Sequence, residues 1–223
     1  MIGSIDVGLT DLAVIARSDG TREKIANPRY LRSRERRLAR AQKVLSRTQK
    51  GSRNRAKARV RVAVAHRKVR ESRLDHHHKL ALRLIRENQT VAVEDLCVNG
   101  LARTRLAKSV HDAGWSILVR LLEEKAARYG RTLMKIDRWF PSTRKCSLCA
   151  VVSEKKPLHV REWVCVCGAV LDRDYNAAVN LIDAAGLAES LNACGPDVRL
   201  RLAGATGVES GTHRTEDTTC VPA

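Results

Sequence analysis

Cysteines and carboxylates of metal-binding type crowd together between Cys146 and Asp174. The stretch runs Cys146-Ser147-Leu148-Cys149, then fifteen residues, then Cys165-Val166-Cys167-Gly168, and soon Asp172-Arg173-Asp174. Zinc takes four thiolates at about 2.3 Å, and each tight cysteine turn supplies two. Cys146, Cys149, Cys165 and Cys167 therefore predict a closed, structural Cys₄ zinc site, whose binding energy becomes folding energy. The second pair is one residue shorter than the usual C-x₂-C, which makes its turn less suited to the ion. The other cysteines, Cys97, Cys194 and Cys220, match no ligand pattern and read as ordinary thiols. An odd number of cysteines, four of them clustered, in a sequence without a signal peptide favours metal over disulfides. His76, His77 and His78 are consecutive, so on a helix they point to different faces and read as surface or packing residues.

Three acids stand where strands end or a helix begins. Asp6 ends an apolar run at Ile2–Val7, Glu94 ends another at Thr90–Val93, and Asp174 precedes an Ala-rich helical segment. Strand ends in open α/β sheets converge on the crevice where ligands bind. Carboxylates gathered there repel one another unless a cation joins them, and Mg²⁺ or Mn²⁺ takes such oxygen ligands. Two such ions about 4 Å apart activate a water and stabilise the leaving oxygen in phosphodiester hydrolysis. Taken singly, each acid has a plainer role: Asp6 shapes a turn, Glu94 pairs with an arginine, and Asp172 or Asp174 caps a helix.

The elements that must position these groups alternate. Three β-type segments, Ile2–Val7, Leu12–Ala16 and Thr21–Ala26, read as an antiparallel meander. Asn27-Pro28 then opens a helix with Leu31, Leu38, Ala41 and Leu45 on one face. Gly51, Ser52 and Asn54 break it. A second helix runs from Arg55 to Arg86, with Val60, Val64, Leu74, Leu80, Leu84 and Ile85 as its apolar positions. Next come a strand at Thr90–Val93, a helix at Trp115–Tyr129 stopped by Gly130, a strand at Thr132–Ile136, the cysteine module, and a helix at Asn176–Ala185 ended by Gly186. A disordered tail is expected from about residue 193. The fold class is α/β with two insertions.

Charge is concentrated in the first insertion. The chain carries +18 overall, and Arg29 to Arg73 holds eighteen Lys and Arg against Glu35 and Glu71. Such a segment, rich in helix formers, predicts a polyanionic partner, most simply nucleic acid. Arg32, Arg36, Arg40, Lys43, Arg47, Lys50, Arg53, Lys57 and Arg61 are the candidate phosphate-binding cations. No apolar run approaches a bilayer span, so no membrane partner is expected. The sequence reads as a cytoplasmic, nucleoid-associated protein.

Four motifs in order carry a family resemblance: G-S-I-D-V-G-L-T-D-L-A-V, V-A-V-E-D-L, F-P-S-T-R-K-C-S-L-C and C-V-C-G-A-V-L-D-R-D-Y-N-A-A-V-N-L. Together they closely resemble the C-terminal nuclease half of the TnpB (OrfB) family, transposon-encoded proteins related to type V CRISPR effectors. The resemblance implies a RuvC-like fold of the ribonuclease H superfamily, with a basic helical hairpin and a Cys₄ zinc ribbon inserted. It divides the chain into RuvC-like segments at 1–27, 89–139 and 171–187, the hairpin at 28–88, the ribbon at 140–170, and a tail at 188–223. It implies that Asp6, Glu94 and Asp174, rather than Asp172, hold the catalytic Mg²⁺ or Mn²⁺. It further implies RNA-guided, metal-dependent DNA cleavage, with the basic helices along a guide–target heteroduplex.

The family carries a substantial region before its first catalytic strand, whereas Met1 here precedes Asp6 by five residues. The sequence therefore reads as a truncated copy, a mis-called start, or one half of a split protein whose other polypeptide supplies that region. The cysteine module beside D-R-D-Y-N-A-A does not belong to strand-transfer transposases of the same superfamily fold, which leaves that function behind two others. One is a DNA endonuclease of transposon origin. The other is a catalytically impaired nucleic-acid-binding regulator or guide-RNA-binding fragment.

Overall fold

A computed structural model describes residues 1–157 and 159–193, with side chains to residue 186. The expected tail from 194 onward, with Cys194 and Cys220, lies outside the described residues. Strands β1 (Ile2–Val7), β2 (Asp11–Arg17) and β3 (Arg22–Ala26) form the antiparallel meander. Helices α1 (Tyr30–Arg47) and α2 (Arg53–Glu87) follow, then β4 (Thr90–Glu94). Two short helices, α3 (Val98–Leu101) and α4 (Ala107–Ala113), lead into α5 (Trp115–Tyr129) and β5 (Thr132–Ile136). The cysteine module contains β6 (Glu162–Val164) and β7 (Val170–Asp172), and α6 (Arg173–Ala193) completes the order.

The main sheet runs β3-β2-β1-β4-β5, with β4 parallel to both β1 and β5. Parallel neighbours require crossovers, and the connections supply them: α1 and α2 link β1–β3 to β4, and α3 to α5 link β4 to β5. Side chains alternate along β1. Ile5 and Val7 face one apolar cluster with Leu84 and Ile85 of α2 and Leu118 and Leu122 of α5. Ser4 faces the opposite side and donates to the Ala178 carbonyl of α6 at 2.6 Å. Leu181 and Ala185 of α6 pack there against Ala92 and Ile136, and Ala178 against Val14 and Ala16. Helices thus cover both faces of the sheet, as buried parallel strands demand.

The hairpin joins this body through the C-terminal half of α2. His77, Leu80, Ala81, Leu84 and Ile85 are buried there, whereas Leu38 and Ala58 are buried farther out along the hairpin. Val60, expected on the apolar face, is 62% exposed. At 35 residues α2 is about 52 Å long. The first helix starts at Tyr30, two residues later than the proline suggested. Its N-terminus is capped from a distance: Asp112 accepts the Leu31 and Arg32 backbone N–H groups at 2.7 and 3.1 Å. Arg73 of α2 pairs with the same buried carboxylate at 3.3 Å. Gly114 joins α4 to α5 at φ 68°, and a Cβ there would meet Arg73 Cδ at 2.7 Å, so only glycine fits.

Three expectations need correction. Helix α6 does not end at Gly186 but continues to Ala193. Gly costs a helix interior only about 1 kcal/mol, and the alanine-rich neighbours offset it. Residues 188–193, assigned to the tail, are therefore helical. Cys97 is disulfide-bonded rather than an ordinary thiol. His77 is buried and bonds the Ala113 carbonyl at 2.9 Å, in keeping with a packing role. Among the described residues no helix is long and apolar enough to cross a membrane.

Candidate active site and zinc module

Asp6 and Glu94 are brought together by strand register. Adjacent parallel strands β1 and β4 pair Ile5 with Val93, so the next residue on each is an acid on the same face. The strands lie about 4.8 Å apart. That face is the one α6 covers, and Asp174 stands in the first turn of α6. Asp6 feels both of the other acids. Burial, then the charges of Glu94 and Asp174, hold the Asp6 carboxyl well above the usual carboxylate range, against the pull of Arg173. Burial, then the charge of Asp95, pushes Glu94 up to about 7. Adjacent carboxylates of this kind are hard oxygen donors, the type that suits Mg²⁺ or Mn²⁺.

Asp172 and Asp174 divide their work. Asp172 caps α6, accepting the Asp174 and Tyr175 backbone N–H groups at 3.0 Å each. It also takes a 2.7 Å bond from Lys24 of β3. Burial raises its pKa, but Lys24 and the two N–H groups outweigh that and hold the carboxyl low. Asp174, freed from capping, points toward Arg161 at 3.2 Å, and Arg161 also donates to Thr10 at 2.8 Å. Asp172 and Asp174 thus frame a junction that Arg161 closes from the cysteine module. The three acids do not close into a ligand cluster as the cysteines do; among the described residues that compactness belongs to the four thiols.

The Cys146, Cys149, Cys165 and Cys167 sulfurs all lie within 4.8 Å of one another, with Cys146–Cys167 at 3.9 Å and Cys149–Cys165 at 3.5 Å. A zinc tetrahedron with bonds of about 2.3 Å has sulfur–sulfur edges of about 3.8 Å, so the donor set fits. The short Cys165-Val166-Cys167 turn is closed by Gly168 at φ 86°, whose N–H donates to the Cys165 carbonyl at 2.9 Å. Burial opposes ionisation of Cys146, but the Cys149 and Leu148 N–H groups outweigh it and bring the thiol down to about 7. For Cys149 the Val151 N–H lowers the pKa, yet burial and the neighbouring sulfurs push it up to about 12. Four thiols this close could hold a dication such as zinc among them.

Sequence reasoning missed the parts that join the module to the acids. Asn176 and Asn180, one turn apart on α6, both hold the cysteine loop. Each donates to the Lys145 carbonyl at 2.7 Å, and Asn180 donates to the Ser142 carbonyl at 2.8 Å. Asn176 also accepts the Ser147 N–H at 2.9 Å. Both are buried. Two asparagines at i, i+4 on an apolar helix face were the available signal. Arg161, by contrast, lies in an irregular segment with no pattern to mark it. The nine hairpin cations, Arg32, Arg36, Arg40, Lys43, Arg47, Lys50, Arg53, Lys57 and Arg61, are all exposed.

Comparison with known proteins places this arrangement. Residues 3–105 match the family OrfB_IS605, described as "Probable transposase", and residues 115–181 match the Cas12f1-like TNB domain. A Streptomyces pristinaespiralis protein named "Putative RNA-guided DNA endonuclease" is 52% identical over 196 residues, covering 87% of this chain and 47% of that protein. A similarly named Mycobacterium tuberculosis protein is 34% identical, covering 79% and 40%. Escherichia coli InsQ is 29% identical, covering 89% and 52%. The chain thus spans about half the length of the relatives it matches. The cryo-EM structure of a Cas12f1–sgRNA–target DNA complex shares the fold, with a TM-score of 0.60, 18% identity, and coverage of 82% of this chain and 50% of that one. By these matches and by its motifs, the chain belongs to the TnpB (OrfB) family.

Proposed function

We propose that this chain carries the nuclease centre of an RNA-guided DNA endonuclease of transposon origin, on a RuvC-like fold of the ribonuclease H superfamily. The register that sets Asp6 beside Glu94, with Asp174 near enough for its charge to raise the Asp6 carboxyl, carries the reading. Three carboxylates from β1, β4 and α6, held on one sheet face, are suited to Mg²⁺ or Mn²⁺. When bound, such ions supply an activated water and neutralise charge at the leaving oxygen. The residues of the chain do the positioning. Asp172 takes the capping load, which leaves Asp174 oxygens available. Arg161 gives Asp174 a cationic partner and sits where a phosphate oxygen is attracted as readily as a carboxylate. The zinc module, tied to α6 by Asn176 and Asn180, supports that junction structurally. The exposed hairpin cations suit a nucleic-acid backbone read by charge, as along a guide–target heteroduplex.

The test is cleavage of single-stranded DNA with Mg²⁺ or Mn²⁺. Asp6→Asn, Glu94→Gln and Asp174→Asn should each cost more than the roughly 10- to 100-fold that loss of a metal's outer-shell partner costs. Metal-dependent cutting that survives all three changes would sink the assignment. The second reading, a catalytically impaired guide-RNA-binding fragment, draws on the Arg161–Asp174 pair, which ties up one candidate ligand. It expects steep salt dependence of binding and no cutting with any metal.

A further inference from the structure

Trp139 is 77% exposed, whereas Trp115 and Trp163 are 5% and 6% exposed. In a chain with three Trp, three Tyr and one Phe, leaving the largest apolar side chain in water calls for a reason. The indole is not on a loose loop. Its backbone N–H donates to Asp137 Oδ1 at 2.6 Å, and the Phe140 N–H donates to the Asp137 carbonyl at 3.0 Å. Phe140 packs against the cluster containing Ala92, Ile136 and Leu181. Ser142, two residues on, is held by Asn180. A turn fixed at both ends therefore points an aromatic outward.

What it points along is a cavity of about 390 Å³, lined by Trp139, Arg144, Lys155 and Arg173 and reaching Glu94. An aromatic side chain, cations and one of the three acids thus line one cavity. An unpaired base has a free π-face for the indole, and its flanking phosphates suit the cations; in a duplex those faces are already stacked. We infer that Trp139 is a base-stacking platform, which seats one unpaired base of a single strand so that the adjoining phosphates run past Arg144, Lys155 and Arg173 toward Glu94. This rests on the nuclease reading for the role of Glu94, and on the cavity alone for the stacking.

The test is binding without added Mg²⁺ or Mn²⁺, so that cleavage does not enter. Fluorescein-labelled twelve-nucleotide single strands, one DNA and one RNA, are titrated by anisotropy beside a DNA duplex of the same length. Tryptophan emission is read in the same samples. Quenching of wild-type emission by either single strand is expected. Trp139→Leu should weaken single-strand binding about 5- to 150-fold, with Trp139→Phe staying close to wild type. The salt slope should not change in Trp139→Leu, because no charge is removed, whereas Arg144→Ala should lower it by about 0.7. Unquenched wild-type emission, or equal losses for duplex and single strand in Trp139→Leu, overturns the inference; the first requires no variant to fold. Loss of cleavage alone, with the Trp139 effect intact, sinks the nuclease reading and leaves the platform standing.

Discussion

Glu94 and Asp6 carry the cost of their own arrangement. Glu94 titrates at about 7 in the fold, against 4.5 ordinarily. Between those values the folded chain holds a proton that the unfolded chain has released. Metal-free stability therefore falls as pH rises from 4.5 to 7, by up to about 3 kcal/mol from this one group. Glu94→Gln should be more stable than wild type at pH 8 and equal to it below pH 4.5, as read by urea denaturation. Mn²⁺ should restore wild type at pH 8 and leave the variant unchanged; an unchanged pH profile in the variant contradicts the account. Arg161 acts in the same place with the opposite charge. Because it pairs with Asp174, Arg161→Ala should tighten Mn²⁺ binding while slowing cleavage. Arg161 had no sequence signature, since an arginine from an irregular segment gains its role only through tertiary placement.

Helix α6 is where the cysteine module and the acids meet. Asp172 starts the helix, Asp174 projects from its first turn, and Asn176 and Asn180 hold the loop that bears Cys146. Asn180→Ala removes the 2.8 Å donor to the buried Ser142 carbonyl and one of the two donors to the Lys145 carbonyl, which should cost about 1 kcal/mol. The same change should speed zinc loss to a colorimetric chelator, whereas an exposed change such as Val166→Thr should not. Zinc removal should in turn loosen the start of α6, seen as faster amide exchange at Asp174 and Tyr175. Much of this element is legible in the sequence. The cysteine spacing and the strand-to-helix junction are local patterns, and the preference for Asp174 over Asp172 comes from the family motif. The end of α6 is not legible, because a lone Gly186 among helix formers is tolerated. Asp112 is not either: its capping of α1 spans about eighty residues of sequence, which no local window contains.

Across the whole molecule, charge and chemistry occupy separate parts joined by α2. The antiparallel meander, the alternation of later strands with helices and the paired basic helices follow from periodicity and turn residues. The adjacency of Asp6 and Glu94 follows instead from strand register, and the nearness of Asp174 from which sheet face α6 covers, and neither is written locally. The exposed hairpin cations should set the electrostatics of binding. Replacing Arg40, Lys43 and Arg47 by alanine should lower the salt slope by about 0.9 for each phosphate left without a cation, with sequence preference unaltered. Under the proposed nuclease reading, catalysis hangs on the three acids from distant segments acting as one metal centre. The most direct measurement is Mn²⁺ binding followed by electron paramagnetic resonance at pH 8, in the zinc-loaded chain and in Asp6→Asn and Asp174→Asn. Saturable Mn²⁺ binding in wild type, abolished or weakened at least about 10-fold in both variants, is the predicted result; Mn²⁺ binding that is absent from wild type, or equal in all three, would contradict it.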